Sequence, residues 1–258
     1  MTCPPANIGA VPRFSVITVC FNALTVLPNT LASLRGQTCR DYEWVVIDGA
    51  STDGSAEWLS NQMPGVFVTE PDNGIYDAMN KAVAHANGEW LFFLNAGDQL
   101  ADPHVLSDIL SIIDDSAKAG DAPSIVYGDV VYFGTKGERR RRFHWLTRTR
   151  LLFGDLCHQA TFARRTLFEQ IGPFDTTLRY NADFDWLVRA FKTNEEIRYV
   201  ARNIAFFNKD GLHVVNNVAC EAERDLVRGR YCSRPSWLLG HWCLRLELKL
   251  RRLFGEIT

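Results

Sequence analysis

Residues 66–98, VFVTEPDNGIYDAMNKAVAHANGEWLFFLNAGD, constrain the fold more than any other part of the chain. Val66 to Thr69 is a short β-branched run, and Glu70-Pro71-Asp72-Asn73-Gly74 after it is rich in turn formers. From Ile75 the apolar residues Ile75, Ala78, Met79, Ala82, Val83 and Ala86 recur at helical spacing. Asn87-Gly88 stops that helix, because glycine readily takes the left-handed C-terminal conformation. Trp90 to Leu94 is a continuous apolar run, the pattern of a strand covered on both faces. It ends in Asn95-Ala96-Gly97-Asp98, which puts a carboxylate just past the carboxyl end of a central strand, where open α/β sheets bind their ligands. Asp98 can equally be a simple cap of the next element, and local chemistry does not choose between the two.

The chain upstream repeats the alternation. Arg13 to Cys20 reads as a buried first strand, followed by Phe21-Asn22 and a helix over about 24–36. Tyr42 to Ile47 makes a second strand ending at Asp48, then Gly49-Ala50-Ser51-Thr52-Asp53-Gly54 is a polar turn before a helix through Ala56-Glu57-Trp58-Leu59. Strand and helix in alternation imply a parallel sheet with right-handed crossovers. Asp48 and Asp98 then sit at carboxyl ends of different strands, which fits a polar ligand site better than two coincident turns. No GxGxxG follows the first strand and no GxxxxGK[ST] occurs, so dinucleotide and P-loop readings lose their main support.

At 258 residues the chain suits one large α/β domain, with or without an appendage. A net charge of −2 gives no global drive toward nucleic acid. The seven cysteines form no CxxC pair and no signal peptide precedes them, which points to a reducing, cytoplasmic setting and against a disulfide framework or zinc site. No apolar run approaches the roughly 20 residues needed to span a bilayer.

In the second half, 103–118 reads as a helix, 125–132 as a strand pair around Gly128-Asp129, and 135–138 as a hairpin turn. Arg139-Arg140-Arg141-Arg142 follows, with Arg148 and Arg150 beyond. It is either a solvated face or a site for phosphate or acidic sugar. No nucleic-acid reading motif accompanies it. Residues 156–162 read as a strand. Cys157-His158 on it is no nucleophile and base pair, because neighbours on a strand face opposite sides. Arg165 to Ile171 is a helix, and Tyr180 to Arg189 opens another with Asp183 and Asp185 in its first turn, where carboxylates also serve as caps. A strand pair around 197–207, a loop at 208–213 and a charged helix over 219–231 complete this part. Ser236 to Phe254 reads as an amphipathic helix rich in Trp and Arg, suited to a membrane interface or to packing on the parent domain.

The patterns VITVCFNA, WVVIDGASTDGS and EPDNGIYDAMNKAVAHANGEWLFFLNAGD occur in the order that resembles a family 2 glycosyltransferase with the GT-A fold, closest to bacterial exopolysaccharide transferases of the colanic-acid type. The likeness runs from about residue 14 to 231. It implies a mixed, mainly parallel α/β sheet flanked by helices. A lead-in over 1–12 precedes a transferase domain over 13–231, with a nucleotide-sugar half at 13–100 and an acceptor half at 101–231. An amphipathic tail at 232–258 follows. It further implies that Thr18 and Phe21 line the nucleoside pocket and that Asp48 accepts hydrogen bonds from the base. Asn22, Asp53, Asp72, Asp77, Asn80 and Asn95 support the cleft for a nucleoside-diphosphate sugar. The family's Asp-x-Asp metal motif is reduced to Asn95-Ala96-Gly97-Asp98, so the resemblance leaves Asp98 to hold Mn²⁺ or Mg²⁺ with help from substrate phosphates. Asp183 becomes the general base toward a glycan or lipid-linked acceptor, with Asp185 a structural neighbour and His158 either an acceptor contact or a structural histidine. Relatives carry a Gly-Gly-x-Ser-like loop near 208–213, of which this chain keeps only Gly211. The implied location is the cytoplasm, at the inner face of the plasma membrane if the tail binds lipid. A nucleotidyltransferase and a non-catalytic sugar-nucleotide-binding protein are the alternatives.

Overall fold

The computed structural model describes residues 11–134, 137–148, 150–154, 156–208 and 217–233, together with 236, 239, 240, 242, 243 and 246. Its first half alternates β1 (Phe14–Cys20), α1 (Leu27–Arg35), β2 (Tyr42–Asp48), α2 (Ser55–Ser60), β3 (Val66–Thr69), α3 (Ile75–His85) and β4 (Trp90–Phe93). These strands pair in parallel in the order β3-β2-β1-β4. Every residue of β1 and β4 is buried, because alternate side chains feed two separate cores. Ile17, Val45 and Phe93 pack with Tyr76, Met79 and Ala82 of α3 on one face. Val16, Val46 and Phe92 pack with Leu27, Leu31 and Leu34 of α1 on the other. With both faces covered, the ligand-accessible part of the sheet is its edge, and all four parallel strands end at the same edge.

The second half comprises β5 (Gln99–Leu100), α4 (Val105–Lys118), β6 (Ile125–Phe133), β7 (Arg139–Arg141), β8 (Thr161–Arg164), α5 (Arg165–Ile171), α6 (Ala182–Phe191), β9 (Ile197–Asn208) and α7 (Asn217–Tyr231). It extends the same sheet as β4-β8-β6-β9-β5, with β7 hairpinned onto β6. β8 runs antiparallel to both β4 and β6, whereas β6 and β9 are parallel. The mixed α/β architecture expected from the sequence is therefore present.

Three readings of the second half need correction. Residues 125–132 and 197–207 are not strand pairs: each is one long strand, and they lie side by side. Gly128 marks a bulge in β6, where the register with β9 slips on both sides of Asp129. A Cβ on Gly128 would stand 2.6 Å from the Arg202 carbonyl, so only glycine lets the strands close here. Residues 156–160 are not strand either. His158–Ala160 is a single 3₁₀ turn and β8 begins at Thr161.

The arginine run is anchored to the fold at Arg140 and Arg141, while Arg139, Arg140 and Arg142 are exposed. The bulge turns Asp129 inward, where it is fully buried and accepts from Arg140 Nη2, the Phe143 amide and the Tyr199 hydroxyl, each at 3.0 Å. Burial, and then the Asp129 charge, push the Tyr199 phenol above its ordinary value. Arg141 lies over the Phe143 ring at 5.6 Å, and Arg148 donates to the Phe191 carbonyl at the end of α6 at 3.0 Å.

The loop at 209–216 and most of the tail lie outside the described residues. Within the tail the described residues 236, 239, 240, 242, 243 and 246 are helical. Gly240 stands against the Phe153 ring, while Leu239, Trp242 and Leu246 are exposed. Among the described residues, no helix is long and apolar enough to cross a membrane.

Candidate active site

The turns after β1 and β2 are laced to each other by side chains. Asn22, at a φ of 49°, accepts from the Thr52 amide at 2.9 Å and donates its own amide to Ser51 Oγ at 2.8 Å. Asp53 accepts from the Leu24 amide and from the Ser55 amide, both at 3.0 Å, so it caps α2 while holding the first turn. Hydrogen bonds from Ser55 and Leu24 keep the Asp53 carboxyl below the usual range. Both residues shape the edge where β1 and β2 end.

Two expected pocket residues are fully buried beneath that edge. Thr18 is fully buried, donating to the Leu94 carbonyl at 2.8 Å and accepting from Trp44 Nε1 at 2.9 Å. It faces the core under α1 and lines no cleft. Asp48 is also fully buried and accepts from the Ser51 amide at 3.0 Å, Ser51 Oγ at 2.5 Å and Thr69 Oγ1 at 2.7 Å. Its carboxylate ties β2 to β3 and to its own turn. The exposed feature beside it is Phe21, at 64%, whereas Gly49 itself is buried. A Cβ on Gly49 would fall 2.5 Å from Asp72 Oδ2 and 3.4 Å from the Phe21 ring, so these three form one wall.

The loop before α3 is closed by carboxylates. Asp72 accepts from the Gly74 amide at 2.8 Å, and Asp77 accepts from the Asn73 amide at 2.9 Å. The Asn73 hydrogen bond, and then Lys81, hold the Asp77 carboxyl below its ordinary value. Lys81 also pairs with Glu70 at 2.9 Å. Asn80 belongs to a different contact. Its amide donates to the Phe174 carbonyl and accepts from the Phe174 amide, both at 2.9 Å, clamping α3 to the loop before α6. That two-way bond joins the two halves of the chain and leaves one N–H and one lone pair of the Asn80 amide for other partners.

At the end of β4 the Asn95–Asp98 turn leans on α1: Thr30 Oγ1 donates to the Asp98 carbonyl at 2.8 Å and accepts from the Gly97 amide at 3.0 Å. Here the two halves of the chain meet. Gln159 Nε2 donates to Asp98 Oδ2 at 3.2 Å, and its neighbour His158 lies 3.0 Å from Asn95 Nδ2 through Nε2. The other ring nitrogen, His158 Nδ1, is 2.8 Å from Asp183 Oδ2. With Asn95 donating to Nε2, the imidazole carries its proton on Nδ1 and donates it to Asp183. Asp183 Oδ1 accepts from the Tyr76 hydroxyl of α3 at 2.8 Å. Burial, and then the Asp183 charge, raise the Tyr76 phenol well above its ordinary value, which keeps it a donor.

Asn95, His158, Asp183 and Tyr76 thus form one chain of hydrogen bonds across the two halves of the chain. The 3₁₀ turn explains how adjacent residues reach two targets. Side chains about 120° apart in such a turn diverge, so His158 serves Asp183 while Gln159 serves Asp98. A cavity of about 20 Å³ lies behind this chain, walled by Phe93, Phe168, Phe174 and Trp186. An apolar backing strengthens the hydrogen bonds in front of it. Tyr76 and Gln159 carry no sequence signal of their own, since both are set by packing between distant segments.

Asp185 has a different surrounding. It is buried and accepts from Arg189 Nε at 3.0 Å, Arg230 Nη1 at 3.1 Å and the Tyr231 hydroxyl at 2.9 Å, joining α6 to α7. Among the described residues no group of three His, Cys, Asp or Glu side chains is poised to hold a metal ion. Asn95 Oδ1, however, is buried with no hydrogen-bond partner, next to the turn that carries Asp98. One carboxylate and one free amide oxygen suit an ion whose remaining ligands come from a bound diphosphate.

Residues 15–172 match the family described as Glycosyl transferase family 2. A PGL/p-HBAD biosynthesis glycosyltransferase of Mycobacterium tuberculosis (strain ATCC 25618 / H37Rv) is 36% identical over 212 residues, covering 78% of this chain and 79% of the relative. Among solved structures, Staphylococcus aureus TarS 1–349 in complex with UDP-GlcNAc is similar at a TM-score of 0.66 and 20% identity, covering 79% of this chain and 60% of that one. The mannosyltransferase PcManGT of Pyrobaculum calidifontis, in complex with GDP-Man and Mn²⁺, has a TM-score of 0.64 at 19% identity, covering 90% of this chain and 68% of that one. The family match spans the parallel strands, the Asn95–Asp98 turn and the His158-Gln159 turn. The chain belongs to the family 2 glycosyltransferases.

Proposed function

We propose that this glycosyltransferase moves a sugar from a nucleoside diphosphate to a glycan or lipid-linked acceptor with inversion at the anomeric carbon. The observation that carries the reading is the hydrogen-bond chain from Asn95 through His158 to Asp183. It sets a carboxylate of the acceptor half beside the turn that follows β4. Asp183 is the general base. As the acceptor oxygen bonds to the anomeric carbon, its proton passes to Asp183 and the bond from that carbon to the diphosphate breaks, its electrons leaving with the nucleotide. His158 and Tyr76 hold the carboxylate by donating to both of its oxygens, so its orientation is set before the acceptor arrives.

Phe21, Gly49 and Asp72 form the wall on which the nucleoside would rest, with Asn22 and Asp53 holding its turns in shape. A UDP- or GDP-linked donor is supported by the ligands of the two structural neighbours. Asp98, with Asn95 Oδ1, would hold Mn²⁺ or Mg²⁺ against the diphosphate, where the ion neutralises charge on the leaving group. The mycobacterial relative's part in PGL/p-HBAD biosynthesis supports a glycoconjugate acceptor. The exposed Leu239, Trp242 and Leu246 support contact of the tail with a membrane surface.

Calorimetry against UDP-, GDP- and dTDP-sugars with and without Mn²⁺, followed by NMR of the first product anomer, tests this reading. Metal-dependent binding of one donor and a product inverted at the anomeric carbon are expected. Retention of configuration, or release of pyrophosphate in place of nucleoside diphosphate, would overturn it.

A further inference from the structure

We infer that Glu223, on α7 and away from the hydrogen-bond chain, is a positioning residue for Asp183. Its carboxylate accepts three consecutive backbone amides, those of Arg179, Tyr180 and Asn181, each at 2.7 Å. Asn181 is the N-cap residue of α6, yet its side chain makes no capping bond. That side chain turns instead to α7, donating to the Cys220 carbonyl at 2.8 Å and accepting from Arg224 Nε at 3.0 Å. Glu223 therefore fixes from another helix the segment that leads into α6, binding the N-cap amide and the two amides before it. Its charge also sits at the positive end of the α6 dipole.

The opposite side of the same segment is held by the base's own partner. The single proton of the Tyr76 hydroxyl is shared between the Tyr180 carbonyl at 2.9 Å and Asp183 at 2.8 Å. Residues 179–181 are thus gripped on their N–H side by Glu223 and on their C=O side by Tyr76, two residues before Asp183. Charge-assisted bonds to three successive amides leave that segment little freedom. Without the carboxylate, three amides lose their acceptor and the first turn of α6 loosens, carrying Asp183 away from His158.

This inference rests on Asp183 being the base, and the test separates the two. Glu223→Gln, Glu223→Asp and Asp183→Asn are compared with the intact chain in three measurements. These are backbone amide exchange at 179–181, donor affinity by calorimetry, and release of nucleoside diphosphate from the retained UDP- or GDP-sugar with water as acceptor. In Glu223→Gln, exchange at 179–181 should accelerate about tenfold or more against the rest of α6. Its kcat should fall roughly 10- to 100-fold, the scale of a misplaced catalytic group, with donor affinity unchanged. Glu223→Asp, which keeps the charge, should recover part of the turnover. Unchanged exchange at 179–181 would overturn the inference. So would faster exchange with wild-type turnover while Asp183→Asn is inactive, or a loss of donor affinity equal to the loss of kcat. Full activity of Asp183→Asn would refute the base assignment itself, and Glu223 with it as a positioning residue for catalysis.

Discussion

Three carboxylates in this chain look alike in sequence and do different work because their neighbours differ. Asp48 is consumed by Ser51 and Thr69, Asp185 by two arginines and a tyrosine, and Asp183 by a histidine and a tyrosine at the junction of the halves. Asp185→Asn should therefore act on stability. Removing one member of a buried ion pair costs about 3–5 kcal/mol, and the low end applies because Arg189 and Arg230 are 25% and 36% exposed. Urea unfolding should show the loss, with donor affinity per folded molecule unchanged. A fully stable Asp185→Asn protein with reduced turnover would instead make Asp185 the functional carboxylate. Such assignments were half legible in the sequence. Spacing and resemblance singled out Asp98 and Asp183, which Gln159 and His158 draw to one junction, but the burial of Thr18 and Asp48 was not legible because a strand end shows only where a residue lies along the chain. Whether its side chain points outward or into the core depends on partners such as Trp44 and Thr69, which come from other segments.

At the scale of elements, alternation was the strongest guide. The parallel half formed as expected because the inner strands β1 and β4 are covered on both faces and α1 has a single buried stripe. Where a strand carries a bulge or a turn precedes it, apolar runs mislead. Gly128-Asp129 reads as a break between two strands, although the chain passes through it as one strand with an inward carboxylate. Leu156 to Phe162 reads as continuous strand although its first part is a 3₁₀ turn. That turn is what lets His158 and Gln159 address different halves of the site. The β2–α2 turn offers a direct test of the nucleoside wall. Gly49→Ala would place a methyl 2.5 Å from Asp72 Oδ2 and 3.4 Å from Phe21. Asp72 can swing away, so the fold should survive, while donor affinity should drop about tenfold, or ~1.4 kcal/mol. Undiminished affinity by calorimetry would move the nucleoside off this wall.

For the whole molecule, the two halves are joined by polar contacts at several heights: Asn80 to Phe174, Tyr76 to Asp183 and Asn95 to His158. Asp175, in the same joining loop, is held below its ordinary range by Thr177 and then by Arg230. A depressed carboxyl contributes stability above its unfolded pKa of about 3.9 and loses it as pH falls through the folded value. The urea midpoint should therefore fall as the pH is lowered below about 4, and Asp175→Asn should fall less steeply. An equal acid slope in both proteins would remove Asp175 from that linkage. As the proposed general base, Asp183 would make donor binding and proton removal the tasks of different halves of the chain. The most direct measurement is turnover and donor affinity of Asp183→Asn, read on the same preparation. The prediction is a kcat lower by roughly 10²–10⁴, the range for loss of a general base, with donor affinity unchanged. Wild-type turnover in Asp183→Asn would contradict it.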